Sequence, residues 1–278
     1  MKIIGTRMKS LENNPVVWRP FFELGRAGSL SYFITTRHGG ISAGPYASMN
    51  LGLHSGDEPG QVLQNRRILA AHLGVSVNRL LTPRQIHGDG IAQIDEAYFS
   101  LTEEAQAERL SEADALLTNC REVYVAVSTA DCVPVLLYAP DRLVVGAVHA
   151  GWRGTVKGIV GKAVRCMAEW YGCDPLYIRA GIGPSIGPDA FEVGEEVVEA
   201  FRRSGADLSR IAFRHPQTRK AHVNLWEANR LQLLDAGLSP DHIEVAGICT
   251  FTHSDHFFSA RHLGVQCGRM WSGICLHG

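Results

Sequence analysis

Residues 128–154 read STADCVPVLLYAPDRLVVGAVHAGWRG. Two runs within them, VPVLLY (133–138) and LVVGAVH (143–149), are dense in β-branched and aromatic side chains, which pack well on a pleated surface, and each predicts a strand. Between them stand Ala139, Pro140, Asp141 and Arg142, and Pro followed by Asp suits the centre of a type I turn. A tight hairpin is expected. If Ala139 pairs with Arg142, then Tyr138 faces Leu143, Val135 faces Gly146 and Cys132 faces His149. Directly opposed antiparallel residues hold their Cβ atoms ~4.5 to 5.5 Å apart. From there a thiolate and an imidazole can reach one zinc ion, which sits about 2.3 Å from sulfur and about 2.0 Å from nitrogen. The register is the sensitive point, because two-residue hairpins prefer I′ or II′ turns and a slip of one residue sends the two side chains to opposite faces. Without a metal, the same pair reads as a small buried hydrophobe and a core histidine.

The flanks of the hairpin favour the metal. Asp131 precedes the cysteine, and a carboxylate in an apolar hairpin needs a partner such as a metal-bound histidine. After His149, the small-residue turn Ala150-Gly151-Trp152-Arg153-Gly154 leads into a helix predicted over 154–171, where Val156, Ile159, Val160, Ala163, Val164, Met167 and Trp170 recur at helical spacing. Free amides at a helix start attract anions, and Arg153 adds a charged fork for phosphate or carboxylate. The end of the hairpin is therefore read as a metal and anion site.

Outward from this centre, SYFITTR (31–37) and VYVAVS (123–128) predict strands, with further strands near 176–182, 243–249 and 269–276. Helices are expected near 61–73, ending at Gly74 as a C-cap, and near 194–203 and 225–236. Residues 38–60, HGGISAGPYASMNLGLHSGDEPG, form a long glycine-rich loop, and long loops are often functional. The class is α/β in the mixed α+β sense, with helices packed on a largely buried mixed sheet. No repeat or Pro/Ser-rich linker divides the chain, so residues 31–278 are read as one domain behind an N-terminal segment, 1–30.

Composition narrows the functions. The 278 residues are 45% hydrophobic and 20% charged, values of a globular protein with a sizeable core. With 27 Lys and Arg against 28 Asp and Glu, the formal charge of −1 offers no general attraction to nucleic acid or anionic lipid. No uncharged apolar run approaches the roughly 18 to 20 residues that cross a bilayer. Arg7, Lys9 and Glu12 interrupt the start, which therefore lacks a secretory h-region, and a cytoplasmic location is expected. Seven cysteines without a CxxC pair argue against a disulfide framework and a four-cysteine zinc ribbon.

Several motifs taken together are recognisable: TPRQIHGDG (82–90), EADALLT (112–118), STADCVPVLLY (128–138), VVGAVHAGWRGTVKGIV (144–160), GIGPSIGPDAFEVGEEV (181–197) and FFSARHLGVQCGR (257–269). In this order they resemble the YfiH family, also called the multicopper polyphenol oxidase or laccase-domain family, which includes purine nucleoside phosphorylases. The similarity runs over about residues 31–276. It implies a YfiH-like fold and a zinc site made by His87, Cys132 and His149. It also implies phosphorolysis of adenosine, inosine and methylthioadenosine, with deamination of adenosine at the same site. A zinc held by two imidazoles and one thiolate keeps a fourth position for water, whose pKa falls toward about 7. Purine nucleoside and phosphate are the implied partners. Arg153 is the first candidate for phosphate, with Arg37 of TTRHGGIS and Asn50 of SMNLG as second candidates, and Asp131 is assigned behind the metal as a proton carrier. Ser185, Asn224 and His262 depart from the family pattern (IGPCIG, DLW and FFSYRRDGxTGR), and exchanging arginine for histidine at 262 weakens a fixed phosphate clamp.

Three other functions fit parts of the sequence. Copper can also bind two histidines and a cysteine, but a multicopper oxidase uses about ten histidines, usually in HxH pairs, and the 12 histidines here include no such pair. A metal-free Cys132 activated by His149 would be a thiol hydrolase or a peptidoglycan-editing amidase. A non-catalytic binding module is disfavoured, since burying Asp, Cys and His is costly without a chemical role.

Overall fold

The structure, a computed structural model, describes residues 2–3, 16–19, 21, 24 and 28–278. The segment read as 1–30, with its interrupted start, thus lies largely outside the described residues. Strands and helices are numbered in chain order.

A seven-stranded sheet runs in the order β1 (Lys2–Ile3), β14 (Ile243–Val245), β10 (Arg179–Ile182), β8 (Val133–Ala139), β9 (Val144–Ala150), β6 (Ala115–Thr118) and β5 (Ile91–Ile94). It is antiparallel through the centre, β10–β8–β9–β6, and parallel at both ends. A five-stranded sheet holds β2 (Val17–Trp18), β3 (Leu30–Thr35), β15 (Met270–Leu276), β7 (Tyr124–Thr129) and β4 (Leu80–Leu81). A small antiparallel sheet joins β11 (Glu192–Val193), β13 (Ala221–Val223) and β12 (Ala212–Arg214). The helices are α1 (Pro59–Leu73), α2 (Glu103–Arg109), α3 (Trp152–Val156), α4 (Ile159–Tyr171), α5 (Glu195–Arg203), α6 (Leu208–Ile211), α7 (Leu225–Asp235) and α8 (Ala260–Leu263). Among the described residues no helix is long and apolar enough to cross a membrane.

The mixed α+β class is as expected, but the strands sort into three sheets rather than one. Hydrophobic pattern identifies a strand without naming its neighbour, which is set by packing across the chain. Every residue of β8 and β9 is buried, and the reason is a layered core. Val133, Val135, Leu137, Val144 and Val148 pack on one face against Ile159, Val160, Ala163, Val164 and Met167 of α4. Leu136, Tyr138, Val145 and Ala147 face the other way, onto Val125, Val127, Met270 and Ile274 of the five-stranded sheet. Strands covered on both faces must be apolar throughout, which explains VPVLLY and LVVGAVH.

The hairpin register differs from the expected one by two residues. Ala139 pairs with Val144 and Pro134 with His149, so Pro140–Leu143 forms a four-residue connection, with Leu143 in the left-handed region at φ 51°. A left-handed residue after a type I turn matches the twist of the strands, which a two-residue type I loop does not. Cys132, just before β8, is therefore diagonal to His149 rather than opposite it. An even offset preserves the face, and both side chains point toward the five-stranded sheet.

The helix expected over 154–171 is two helices, α3 and α4, separated at Gly158, whose φ of 76° stops the first turn and starts the second. Trp170, placed on the apolar face by spacing, is 40% exposed. Gly74 closes α1 as predicted, with φ 72°. An added Cβ at Gly158 meets no atom within 4 Å, so Gly158→Ala isolates the cost of the left-handed backbone. That cost is about 1 to 2 kcal/mol, and the expected outcome is a thermal midpoint lower by about 2 to 8 °C, measured by calorimetry.

Candidate metal centre

The three donors arrive from three directions. Cys132 follows Asp131, which sits at φ 89°, an uncommon backbone for a side-chain-bearing residue. Three contacts hold it there. The Asp131 carbonyl accepts from the Ile186 amide at 2.9 Å, Oδ1 accepts from Thr250 Oγ1 at 2.6 Å, and Oδ2 accepts from the Arg261 amide at 2.7 Å. His149 lies near the end of β9 and is buried. His87 stands in the loop between β4 and β5, again in the left-handed region at φ 59°, with its side chain exposed.

Asp114, immediately before β6 and fully buried, ties two of these donors together. Its Oδ2 accepts from the amides of Ile86 at 3.2 Å and Gly88 at 2.7 Å, and Oδ1 accepts from the amide of His87 at 3.1 Å. The same Oδ1 lies 2.7 Å from His149 Nδ1. Burial pushes the Asp114 carboxyl up, but the His149 contact and the loop amides outweigh it and hold the group below its ordinary value.

One ligand atom each from His87, Cys132 and His149 lies within 4.8 Å of the others, and the two imidazoles stand 85° apart. With Nδ1 of His149 committed to Asp114, Nε2 is its free donor. A Cβ on Gly151 would lie 3.1 Å from Cys132 Sγ and 3.2 Å from His87 Cδ2, so this glycine keeps a side chain from crowding the donors. Two nitrogens and one sulfur, with His87 open to solvent, suit a zinc-class ion that keeps one position for a substrate or water. Burial raises the Cys132 thiol, yet the His149 and His87 imidazoles prevail and bring it down to about 6. Burial lowers His149, yet the Cys132 sulfur and Asp114 raise it to about 9. The metal-free pair is therefore a thiolate beside an imidazolium.

Residues 31–277 match the family model described as multi-copper polyphenol oxidoreductase laccase. The chain belongs to this laccase-like family. It is 44% identical over 249 residues to a purine nucleoside phosphorylase of Bacteroides thetaiotaomicron, covering 90% of this chain and 92% of that protein. It is 41% identical to adenosine deaminase RL5 from an unknown prokaryotic organism, covering 87% and 92%. The crystal structure of YlmD from Geobacillus stearothermophilus superposes with a TM-score of 0.86 at 35% identity, over 95% of this chain and 97% of that one.

Other residues singled out in the sequence fall differently. Asp131 bonds Thr250 and the Arg261 amide rather than His149; the carboxylate on His149 comes from Asp114. Asn50 is fully buried and has no capacity left for a ligand. Its amide donates to Ser55 and Asp57, and its carbonyl accepts from the amides of Gly52 and Arg269, so it holds the glycine-rich loop together. Arg37, half-buried over Phe258, donates to the carbonyls of Ala47 and Ser254. Arg153 is exposed in the first turn of α3, its guanidinium 4.3 Å from the Trp152 ring centroid; α3 begins at Trp152 rather than Gly154. Ser185 accepts from Trp226 Nε1 at 2.7 Å, Asn224 caps α7, and His262 packs edge-on to Phe251. Asp114 was the residue that sequence reasoning passed over. Its signal is an acid directly before the apolar run ALLT, a place where a charge needs a buried partner.

Two outcomes are expected. Asp114→Asn should weaken zinc binding about 10- to 100-fold in a chelator competition, the usual loss when the group behind a metal-bound histidine is removed. In metal-free protein the thiolate fraction of Cys132 should rise through pH about 6, so its alkylation by iodoacetamide should be half-maximal there. An unperturbed thiol would need pH about 8.5.

Proposed function

We propose that residues 31–278 act as one domain forming a zinc-dependent purine nucleoside phosphorylase that also deaminates adenosine. Its substrates in this reading are adenosine, inosine and methylthioadenosine, with phosphate. The observation that carries it is the convergence of His87, Cys132 and His149 within 4.8 Å. Relatives named purine nucleoside phosphorylase and adenosine deaminase, at 44% and 41% identity, support it. His87, Cys132 and His149 would hold the zinc ion, which would supply a Lewis acid to the substrate.

The chain's own residues account for the rest. Asp114 keeps the proton on His149 Nδ1, so that Nε2 stays a lone-pair donor. Asp131 holds the backbone that leads into Cys132, its oxygens accepting from Thr250 and the Arg261 amide. Gly151 keeps a side chain from filling the space beside the donors. In phosphorolysis, phosphate attacks the anomeric carbon of the ribose while the purine departs, so an anion must be held beside the sugar. Arg153 suits that task, being exposed two residues after Gly151 and engaged with the Trp152 ring rather than in an ion pair among the described residues. Arg37 serves by bracing the loops at Ala47 and Ser254. A cytoplasmic setting suits a thiolate centre, because that compartment keeps thiols reduced.

A second reading, a thiol hydrolase acting on amides, is favoured by one observation, the depressed Cys132 thiol beside a raised His149. One assay separates the two. Adenosine, inosine and methylthioadenosine are incubated with and without phosphate, before and after chelation. The phosphorylase reading expects hypoxanthine release from inosine only with phosphate, loss on chelation, and loss of cleavage together with the metal bound at the His87–Cys132–His149 centre in Cys132→Ala. Amide hydrolysis that survives chelation and stops on alkylation would instead establish the second reading.

A further inference from the structure

A second cluster of donors lies at the far end of the five-stranded sheet. Cys275 and His277 are two residues apart at the end of β15 and so project to the same face. There the buried face runs out into solvent: Cys275 is fully buried against Phe33 and Tyr124, whereas His277 is about one-third exposed. Glu122, just before the neighbouring β7, brings its carboxylate to 3.1 Å from His277 Nδ1. One donor atom each from Glu122, Cys275 and His277 lies within 4.8 Å of the others.

The surroundings orient these groups as a metal site does. On the opposite neighbour, β3, Ser31 pairs in register with Cys275, and its Oγ lies 2.7 Å from His277 Nε2. When Nε2 donates to Ser31, Nδ1 turns a lone pair toward Glu122, 3.1 Å away, and a cation held between them would replace the proton that the pair otherwise shares. Glu122 is itself held by the Gly278 amide at 2.9 Å, and its own amide donates to the Leu276 carbonyl at 2.8 Å. Three adjacent strands thus each contribute a polar group to one spot. The Nδ1 to carboxylate spacing is close to that of two ligands about 2.0 Å from one tetrahedral ion.

We propose that Glu122, Cys275 and His277 form a second metal site for a zinc-class divalent cation, separate from the His87–Cys132–His149 centre. The two are about 20 Å apart along the sheet, since Glu122 precedes β7, Cys132 follows it, and six strand residues rise about 3.3 Å each. Burial holds the Cys275 thiol protonated, pushed up to about 12. Binding forms the metal–sulfur bond as that proton leaves to solvent, so no oxidant or reductant is required. A nitrogen, sulfur and carboxylate set with partial exposure selects zinc over calcium or magnesium. An ion there would tie the end of β15 to the start of β7.

The test uses the full-length chain with Cys132→Ala, which removes the thiolate of the first centre. Cobalt(II) is titrated as a spectroscopic probe and zinc by chelator competition. The proposal expects about one cobalt per chain with a thiolate-to-cobalt absorption band in Cys132→Ala. In Cys132→Ala/His277→Ala the band should disappear and zinc affinity should fall at least about tenfold; Glu122→Gln on the same background should also weaken binding about tenfold. Both added changes lie at the partly exposed rim, so they read binding without emptying the core. His277→Ala alone should leave nucleoside cleavage unchanged. Absence of a cobalt–thiolate band in Cys132→Ala, or zinc affinity unmoved by both rim variants, would overturn the proposal, whatever the first centre catalyses.

Discussion

One fully buried carboxylate organises the candidate centre. Asp114 accepts from three consecutive amides of the loop that carries His87 and from the ring of His149, so two of the three donors take their positions from a single side chain. Removing a carboxylate from water costs several kcal/mol, and hydrogen bonds to a charged group, worth about 1.5 to 3 kcal/mol each, offset that cost only when several are made together. The arrangement is therefore cooperative. The loop adopts its left-handed turn at His87 because Asp114 satisfies its amides, and Asp114 is tolerated in the core because the loop and His149 satisfy it.

The layered fold gives this arrangement its rigidity. With α4 on one face and the five-stranded sheet on the other, β8 and β9 have no freedom to slide, and both donors they carry sit where the strands meet loops. Asp131 performs for Cys132 what Asp114 performs for His87. It holds a strained backbone by binding Thr250 and Arg261 from the C-terminal part of the chain. Residues distant in sequence thus meet at the backbone of the candidate centre; elsewhere Asn50 commits all its polar groups to the glycine-rich loop, and Arg37 braces two loops through Nε and Nη1.

Much of this was legible in the sequence, and the limits have physical causes. The apolar runs at 133–138 and 143–149 identified the central strands because double burial permits nothing else there. Cys132 and His149 were brought to one face correctly although the register was off by two, since the pleat has a period of two. Leu143 hid the true turn: a left-handed leucine has no compositional signature, unlike the glycines at 74 and 158. Adjacency in sequence points to Asp131 for the histidine contact; Asp114 makes that contact because β6 lies beside β9 in space, and pairing across a sheet is not written locally. His87 carried no signal of its own and was reached only through family resemblance.

The central claim is that two imidazoles and one thiolate share a cation. X-ray absorption at the zinc edge of a His277→Ala protein loaded with about one equivalent of zinc tests it most directly, because it reads the ligand atoms themselves. The account predicts one sulfur at about 2.3 Å and two imidazole nitrogens at about 2.0 Å, with the sulfur scatterer gone in a Cys132→Ala/His277→Ala protein. A shell of nitrogen and oxygen alone, or a sulfur scatterer that survives the loss of Cys132, would contradict it.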